Sequence, residues 1–291
     1  MFRGIYTALI TPFRNGKVDE KAFGDFVEWQ IAEGVHGLVP CGTTGESPTL
    51  SYEEHNRIVS LCVEVARGRV KVLAGTGANS TDEAIMLTAH AKKAGADGAL
   101  IVAPYYNKPT QEGIYQHYKA IAEAVNIPIV LYNVPGRSVV DIKNETIGRL
   151  AKISNIVGIK DATGDLARVC TLRMQVGKEF LQISGEDMTA VAFNVQGGVG
   201  CISVSSNIAP RLCAQVQELT LNGDFTGAYA IHEKLVALHE AMFLETSPAP
   251  VKYAASLLGK CQPDLRLPLV PVAEATKERV KIAMKTAGLA V

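Results

Sequence analysis

The chain has 291 residues, 47% of them in the hydrophobic class, which is enough to bury a sizeable core in one large domain or two small ones. Its 29 basic and 29 acidic residues give a formal net charge of zero, and no basic stripe or long block of like charges occurs. We therefore expect no nucleic acid as a partner, and no membrane either, since no segment is long and apolar enough to cross a bilayer.

The amino-terminal segment and the cysteines indicate the cellular compartment of the protein. The first residues, MFRGIYTALITPF, contain an apolar stretch too short for a secretory signal. The six cysteines include no CxxC pair, and the six histidines show no ligand spacing such as HExxH. The sequence therefore predicts a cytoplasmic protein with reduced thiols and no metal site.

Eight short apolar segments alternate with helical patterns along the first two hundred residues. The predicted strands are Ile5–Leu9, Gly37–Pro40, Val70–Ala74, Ala99–Val102, Pro128–Tyr132, Ile156–Lys160, Phe180–Ile183 and Gly200–Ser203. The predicted helices lie near Glu20–Glu33, Tyr52–Arg67, Thr81–Lys93, Gln111–Val125, Lys143–Ala151, Asp165–Val176 and Asp187–Val195. The strands are apolar on both faces, as in a parallel sheet that is covered on both sides. Eight such units predict an α/β fold, the closed (β/α)8 TIM barrel.

An open, doubly wound sheet is the alternative architecture. It would need a phosphate-binding glycine loop after an early strand, and the chain has no GxGxxG motif. After Ser205 the pattern becomes helical only. Helices are predicted near Pro210–Leu221, Thr226–Phe243, Pro250–Leu258 and Val272–Thr286. We expect a barrel over residues 1–224 and a C-terminal α-helical domain, or appendix, over residues 225–291.

Several reactive side chains follow directly after predicted strands. Active sites of such barrels lie at the carboxyl ends of the strands. The residues concerned are Thr43 and Thr44 after the second strand, Tyr105 and Tyr106 after the fourth, Tyr132 and Arg137 at and after the fifth, Lys160 at the end of the sixth, and Gly185 after the seventh. We expect these side chains to converge at one mouth of the barrel.

Lys160 is the most informative of these residues, because it ends a strand that is otherwise apolar. By itself, a lysine in this position more often extends its amine to solvent. Removal from water favours the neutral amine, which can attack a ketone and form an imine. The phenol of Tyr132 on the neighbouring strand could relay protons during that step, although it could equally be a buried aromatic residue with a satisfied hydroxyl.

The other polar residues have structural alternatives as well. Thr43 and Thr44 lie in a glycine-flanked loop that can present hydroxyls and amides to a small anion, but Thr44 could instead cap a helix. The Arg137 guanidinium could hold a carboxylate through two hydrogen bonds, but a solvated surface arginine is the default for this residue type.

Four segments of the chain resemble one known family of enzymes. They are GTTGESPTL (42–50), APYYNKPTQEG (103–113), YNVPGR (132–137) and GIKDATGD (158–165). Together they resemble the pyruvate-dependent lyases, the family that includes dihydrodipicolinate synthase and N-acetylneuraminate lyase, and within it they are most similar to the dihydrodipicolinate synthase branch. The similarity extends from Gly4 to Pro268.

The resemblance implies a role for each matching residue. Lys160 matches the Schiff-base lysine, and Tyr132, Thr43 and Tyr106 match a proton relay in which Tyr106 comes from a neighbouring subunit. Thr44, Gly185 and Ile202 match groups near bound pyruvate, and Arg137 matches the arginine that receives the carboxylate of L-aspartate 4-semialdehyde. The implied reaction condenses these two substrates in lysine and diaminopimelate biosynthesis. It requires no cofactor, and the implied assembly is a homotetramer built as a dimer of dimers.

Some members of this family are inhibited by lysine in a cleft between subunits. The matching residues are Ser47, His55, Asn79, Glu83 and Tyr105. Glu83 could bind an ammonium group and His55 a carboxylate, which makes L-lysine a candidate feedback inhibitor; otherwise both side chains belong to a solvated helix face. Pro48, Tyr52 and Ser247 depart from residues that are common in the family.

Two competing functions remain at this stage. The first is another lyase of the family, acting on N-acetylneuraminate or on a keto-deoxy sugar acid. Arg137 and the paired threonines argue against it, because the sialic acid lyases usually carry GSTGE and lack that arginine. The second is a non-catalytic barrel that only binds a metabolite, and the intact set Lys160, Tyr132, Thr43 and Tyr106 argues against that.

Overall fold

Eight parallel strands close into a barrel in the computed structural model, which describes residues 1–291. The barrel strands are β1 (Gly4–Ala8), β4 (Gly37–Val39), β5 (Lys71–Gly75), β6 (Gly98–Val102), β7 (Ile129–Asn133), β8 (Ile156–Asp161), β9 (Leu181–Ser184) and β10 (Gly200–Ser203). Strand β1 pairs with both β4 and β10, so the sheet has no free edge. The predicted (β/α)8 TIM barrel is confirmed. A small antiparallel hairpin, β2 (Phe13–Arg14) and β3 (Lys17–Val18), was not predicted.

The helices follow the strands in the predicted order. Those of the barrel region are α1 (Glu20–Ala32), α2 (Tyr52–Ala66), α3 (Thr81–Ala94), α4 (Gln111–Ala124), α5 (Pro135–Ser138), α6 (Asn144–Leu150), α7 (Leu166–Val176), α8 (Ala190–Val195) and α9 (Pro210–Leu221). Short 3-10 turns occur at Ser47–Thr49 and Ser205–Asn207. Local signals explain several helix starts. Ser51 and Glu54 form a reciprocal capping box at α2, and Asp165 accepts hydrogen bonds from two backbone amides at α7.

The alternation of side chains along the strands decides which residues enter the barrel. In β7, Val130 and Tyr132 belong to the hydrophobic cluster inside the barrel, whereas Leu131 belongs to the cluster between strands and helices. In the paired strand β8, Ile159 also lies in that outer cluster. Successive side chains of a strand point to opposite faces. Lys160 therefore points inward, at the level of its register partner Tyr132.

Three helices form the C-terminal appendix: α10 (Phe225–Ala241), α11 (Ala249–Leu257) and α12 (Glu274–Thr286). Helix α10 packs against α8 and α9, and α12 packs against α10 and α11. One continuous hydrophobic cluster contains barrel residues such as Ile58 and appendix residues such as Leu235 and Met284. The division at residues 224/225 falls between α9 and α10 and stays a prediction. None of the helices is both long and apolar enough to cross a membrane.

Candidate active site

Lys160 and Tyr132 lie side by side at the carboxyl ends of β8 and β7. They are register partners in the parallel sheet, and the Lys160 Nζ lies 4.1 Å from the centre of the Tyr132 ring. Both residues are buried, with 6% and 7% of their surface exposed. The lysine therefore does not extend to solvent, which was the alternative for a lysine at a strand end. Its amine lies over an aromatic face in a largely dry environment.

The strand next to Lys160 on the other side provides space for its stem. At Gly185, which follows β9, a Cβ atom would lie 3.0 Å from Lys160 Cε and 2.7 Å from Ala162 Cβ. A larger side chain there would displace the lysine. Burial raises the pKa of the adjacent Glu186, and the positive charge of Lys160 opposes this shift. Ile202 on β10 is buried in the same interior cluster as Tyr132.

A partly buried polar network on the outer face of β7 and β8 lies behind this pair. The Asn133 side-chain amide donates to Asp141 (2.8 Å), and Arg168 Nη1 donates to the same carboxylate oxygen (2.7 Å). Arg168 Nε lies 3.3 Å from Asp161 Oδ2, close enough for an ion pair but not aligned as a hydrogen bond. Asn133 and Asp161 directly follow Tyr132 and Lys160. The network thus joins the two strand ends, and the sequence alone did not reveal it.

The loop that carries Thr43 and Thr44 is a tight turn closed by Glu46. The Glu46 amide donates to the Thr43 carbonyl (3.1 Å), and Glu46 has a left-handed backbone with φ of 56°. Thr44 is buried and Thr43 half-buried. Lys252 of α11 donates to Glu46 Oε1 over 2.6 Å, and neither side chain has any exposed surface. No local sequence pattern reveals this ion pair, because its two residues lie 206 positions apart.

Arg137 lies in the short helix α5 and is exposed. Its Nη2 donates over 3.3 Å to the carbonyl of Ser247, which lies two residues before the appendix helix α11. The appendix therefore contacts residues of the site at two points: Ser247 contacts Arg137, and Lys252 contacts Glu46.

A cavity of about 570 Å³ opens at this end of the barrel. Thr43, Tyr132 and Arg137 are among its lining residues, as predicted for a common site. Lys160 does not itself line the cavity, but its amine lies against the Tyr132 ring, which does. A volume of this size accommodates small organic molecules.

Tyr106 does not join the other residues within one chain. It is 89% exposed, adopts a left-handed backbone with φ of 71°, and is absent from the cavity lining. Nothing within the same chain covers this large aromatic side chain, so only a second protein chain could bury it. The exposure fits the expectation that Tyr106 acts in a neighbouring subunit.

Most residues of the predicted lysine cleft line the same cavity. They are Ser47, His55, Glu83 and Tyr105, whereas Asn79 lies beside them and donates to the Tyr105 carbonyl over 3.2 Å. Burial raises the pKa of Tyr105, and Glu83 and Tyr52 add to this effect. One continuous space thus connects the barrel mouth with the cleft.

His55 has a defined hydrogen-bonding state in this cleft. It is buried, its Nε2 donates to the Gly75 carbonyl over 2.9 Å, and its Nδ1 has no partner. Burial lowers the pKa of His55, which favours the neutral ring. A neutral ring protonated on Nε2 presents a lone pair on Nδ1. The Nδ1 atom is enclosed by protein, and the carboxylate-binding role of His55 stays a prediction.

Comparisons with known proteins identify one family and several named relatives. The model of the dihydrodipicolinate synthetase family matches residues 1–287. The 4-hydroxy-tetrahydrodipicolinate synthase of Rhodospirillum centenum is 64% identical over 289 residues, which cover 99% of both chains. The structure of the chloride-inhibited dihydrodipicolinate synthase from Acinetobacter baumannii complexed with pyruvate has a TM-score of 0.98, at 48% identity and with both chains fully covered. The structure of DHDPS from Cyanidioschyzon merolae with lysine bound has a TM-score of 0.95, at 36% identity over 99% of both chains.

The fold, the site and these relatives define the class of the molecule as a (β/α)8-barrel lyase. The chain belongs to the dihydrodipicolinate synthetase family.

Proposed function

We propose that this chain is a 4-hydroxy-tetrahydrodipicolinate synthase, which condenses pyruvate with L-aspartate 4-semialdehyde through a Schiff base on Lys160. The observation that carries this proposal is the Lys160 amine, buried at the end of β8 and 4.1 Å from the Tyr132 ring. The named relatives support the choice of substrates. The relative that is 64% identical is named for this activity, and the match covers 99% of both chains.

The chemistry requires one amine and a path for protons. The neutral Lys160 amine attacks the keto carbon of pyruvate, and loss of water leaves an iminium ion. The iminium withdraws electrons, so the pyruvate methyl group loses a proton and becomes an enamine. The enamine carbon then attacks the aldehyde carbon of the semialdehyde, whose oxygen takes up a proton. Displacement of the lysine by the amino group of the second substrate closes the ring and regenerates the amine.

The remaining residues are assigned to the substrates by position. Tyr132, Thr43 and a neighbouring subunit's copy of Tyr106 form the proton relay, for which the exposure of Tyr106 and the cavity position of the other two provide support. Thr44, Gly185 and Ile202 surround pyruvate, and the space that Gly185 leaves beside Lys160 supports this assignment.

A borohydride trap tests the proposal directly. With pyruvate present, borohydride should reduce the imine and leave a stable adduct that peptide mapping places on Lys160. A panel of aldehydes, including N-acetylmannosamine and sugar-derived aldehydes, should give fast turnover only with L-aspartate 4-semialdehyde. If pyruvate and borohydride leave Lys160 unmodified, or if a sugar aldehyde is the preferred acceptor, the proposal is wrong.

Arg137→Ala should mainly weaken use of the semialdehyde. Loss of a charge-assisted hydrogen-bonded pair costs about 1.5–3 kcal/mol, so we expect roughly a 10- to 100-fold lower kcat/KM for the semialdehyde. The pyruvate KM and the rate of borohydride trapping should not change. Arg211→Ala is the matched control, since Arg211 is exposed and pairs only with Glu33 on the surface. A kcat/KM for the semialdehyde that stayed at the wild-type value would remove Arg137 from this role.

We also propose that L-lysine binds in the cleft between Glu83 and His55 and lowers turnover. The carboxylate of Glu83 favours an amino ligand, and His55 lines the same cavity. Glu83→Gln should raise the inhibitory lysine concentration about tenfold or more, while Asp82→Asn, an exposed residue of the same helical turn, should not. Calorimetry without heat of lysine binding, together with uninhibited wild-type turnover, would refute the proposal.

We propose a cytoplasmic homotetramer, a dimer of dimers. Six free thiols favour a reducing compartment, and the exposed Tyr106 favours at least a dimer. Sedimentation velocity at assay concentrations should show the mass of four chains of 31.1 kDa each. A monomer that retained full activity would contradict the role of Tyr106.

A further inference from the structure

The Glu46–Lys252 ion pair stands out because both charged side chains are completely enclosed. Lys252 Nζ and Glu46 Oε1 are 2.6 Å apart, and the same ammonium lies 4.1 Å from the centre of the Phe13 ring. Taking two charges out of water costs free energy, and well-packed apolar residues in their place would often stabilise a fold to the same extent as the ion pair. Stability alone therefore gives a weak reason for this pair.

The position of Glu46 in the chain suggests a second reason. Its backbone closes the turn that holds Thr43 and Thr44, because the Glu46 amide donates to the Thr43 carbonyl. Its second carboxylate oxygen accepts from the Arg266 backbone amide over 3.2 Å. Both Lys252 and Arg266 belong to the C-terminal part of the chain. The carboxylate of Glu46 is thus held from two sides by the appendix, while its backbone fixes the threonine loop.

Further hydrogen bonds around the ion pair restrain the loop that carries Glu46. Arg266 makes two hydrogen bonds of 2.6 Å to Glu54, which belongs to the first turn of α2, and its guanidinium lies 4.4 Å from the centre of the Phe13 ring. On the other side of the loop, the Thr11 hydroxyl donates to the Gly45 carbonyl over 2.7 Å. The loop therefore has little freedom as long as the ion pair is intact.

We propose that Lys252 is a positioning residue, which acts through Glu46 to hold Thr43 and Thr44 against the pyruvate that is bound on Lys160. This inference rests on the proposed function, which assigns Thr44 to bound pyruvate and Thr43 to the proton relay beside it. It gives the appendix a role in catalysis: α11 fixes one wall of the site without touching the substrate.

Three variants test whether the ion pair positions the Thr43–Thr44 loop or only neutralises its own two buried charges. Lys252→Met and Glu46→Gln each leave one buried charge without its partner, and they should lower the melting temperature. The double variant Glu46→Gln/Lys252→Met contains no buried charge at this site, so it should fold with near wild-type stability. Lys281→Met is the control, because this lysine is half-exposed on α12 of the same appendix and pairs with Glu278 at the surface.

The pyruvate KM and the rate of borohydride trapping show whether the ion pair positions the loop or only neutralises its own charges. A misplaced loop should raise the pyruvate KM and slow borohydride trapping on Lys160, together about 10- to 100-fold, in the single variants and in the double variant. The semialdehyde KM should stay near the wild-type value, and Lys281→Met should behave as wild type throughout.

Each outcome has one meaning. A double variant that is stable and has wild-type pyruvate KM and trapping rate shows that the pair only balances its own charges, and it overturns the proposal. A rise in both substrate KM values to the same extent points to general loosening of the site and also overturns it. If wild-type protein gives no adduct with pyruvate, the proposed function fails instead, and that result is visible before any variant is made.

Discussion

Lys160→Ala should abolish turnover, with a loss of kcat of about 10⁴-fold or more, because no other amine can form the imine. The pyruvate adduct after borohydride reduction should disappear as well. The melting temperature should change little, since the substitution removes a buried polar group from the barrel mouth. Turnover by the synthetase assay and intact mass after reduction measure both effects.

The control for this variant is Lys178→Ala, an exposed lysine that follows α7. It should keep wild-type turnover and adduct formation. If Lys160→Ala still formed the adduct, with the mass on another residue, the assignment of the Schiff base would be wrong, although the fold would stand.

Tyr132→Phe should give the second largest loss. A positioned general acid or base contributes about 10²- to 10⁴-fold, so we expect kcat to fall by roughly 10²- to 10³-fold. The phenyl ring keeps the aromatic face 4.1 Å from the Lys160 amine, and the fold should therefore be maintained. Stopped-flow measurement of imine formation and the melting temperature together test this expectation.

Tyr229→Phe is a suitable control, because its side chain is half-exposed on α10. It should leave imine formation unchanged. A Tyr132→Phe variant with wild-type imine formation would show that the phenol is only a buried aromatic group, which was the alternative for this residue.

The strands and the order of the helices could be predicted because their signals are local. β8 was expected at Ile156–Lys160 and occurs at Ile156–Asp161, and α9 was expected and found at Pro210–Leu221. Runs that are apolar on both faces identify strands covered on both sides, and residues at the ends of such strands must meet at one mouth of a closed barrel. Lys160, Tyr132 and Thr43 could thus be grouped before any contact was known. The β2–β3 hairpin was missed, since its two-residue strands carry no periodic pattern.

Interactions between distant segments could not be predicted. The Arg168 network behind β7 and β8 depends on how α7 packs on the sheet, and the hydrogen-bonding state of His55 depends on the Gly75 carbonyl, 20 residues away. The cavity that joins the barrel mouth to the Glu83 cleft likewise exists only once the loops after several strands are in place.

Strand period and apolar burial are properties of adjacent residues, so a barrel with a lysine and a tyrosine at neighbouring strand ends could be read from the residues alone. The contact of the Lys160 amine with the Tyr132 ring, and the enclosed pair of Lys252 and Glu46, became visible only in the folded chain. Closure of the sheet and packing of the appendix bring together charges that are far apart in the chain, and an enclosed charge needs its partner at hydrogen-bond distance.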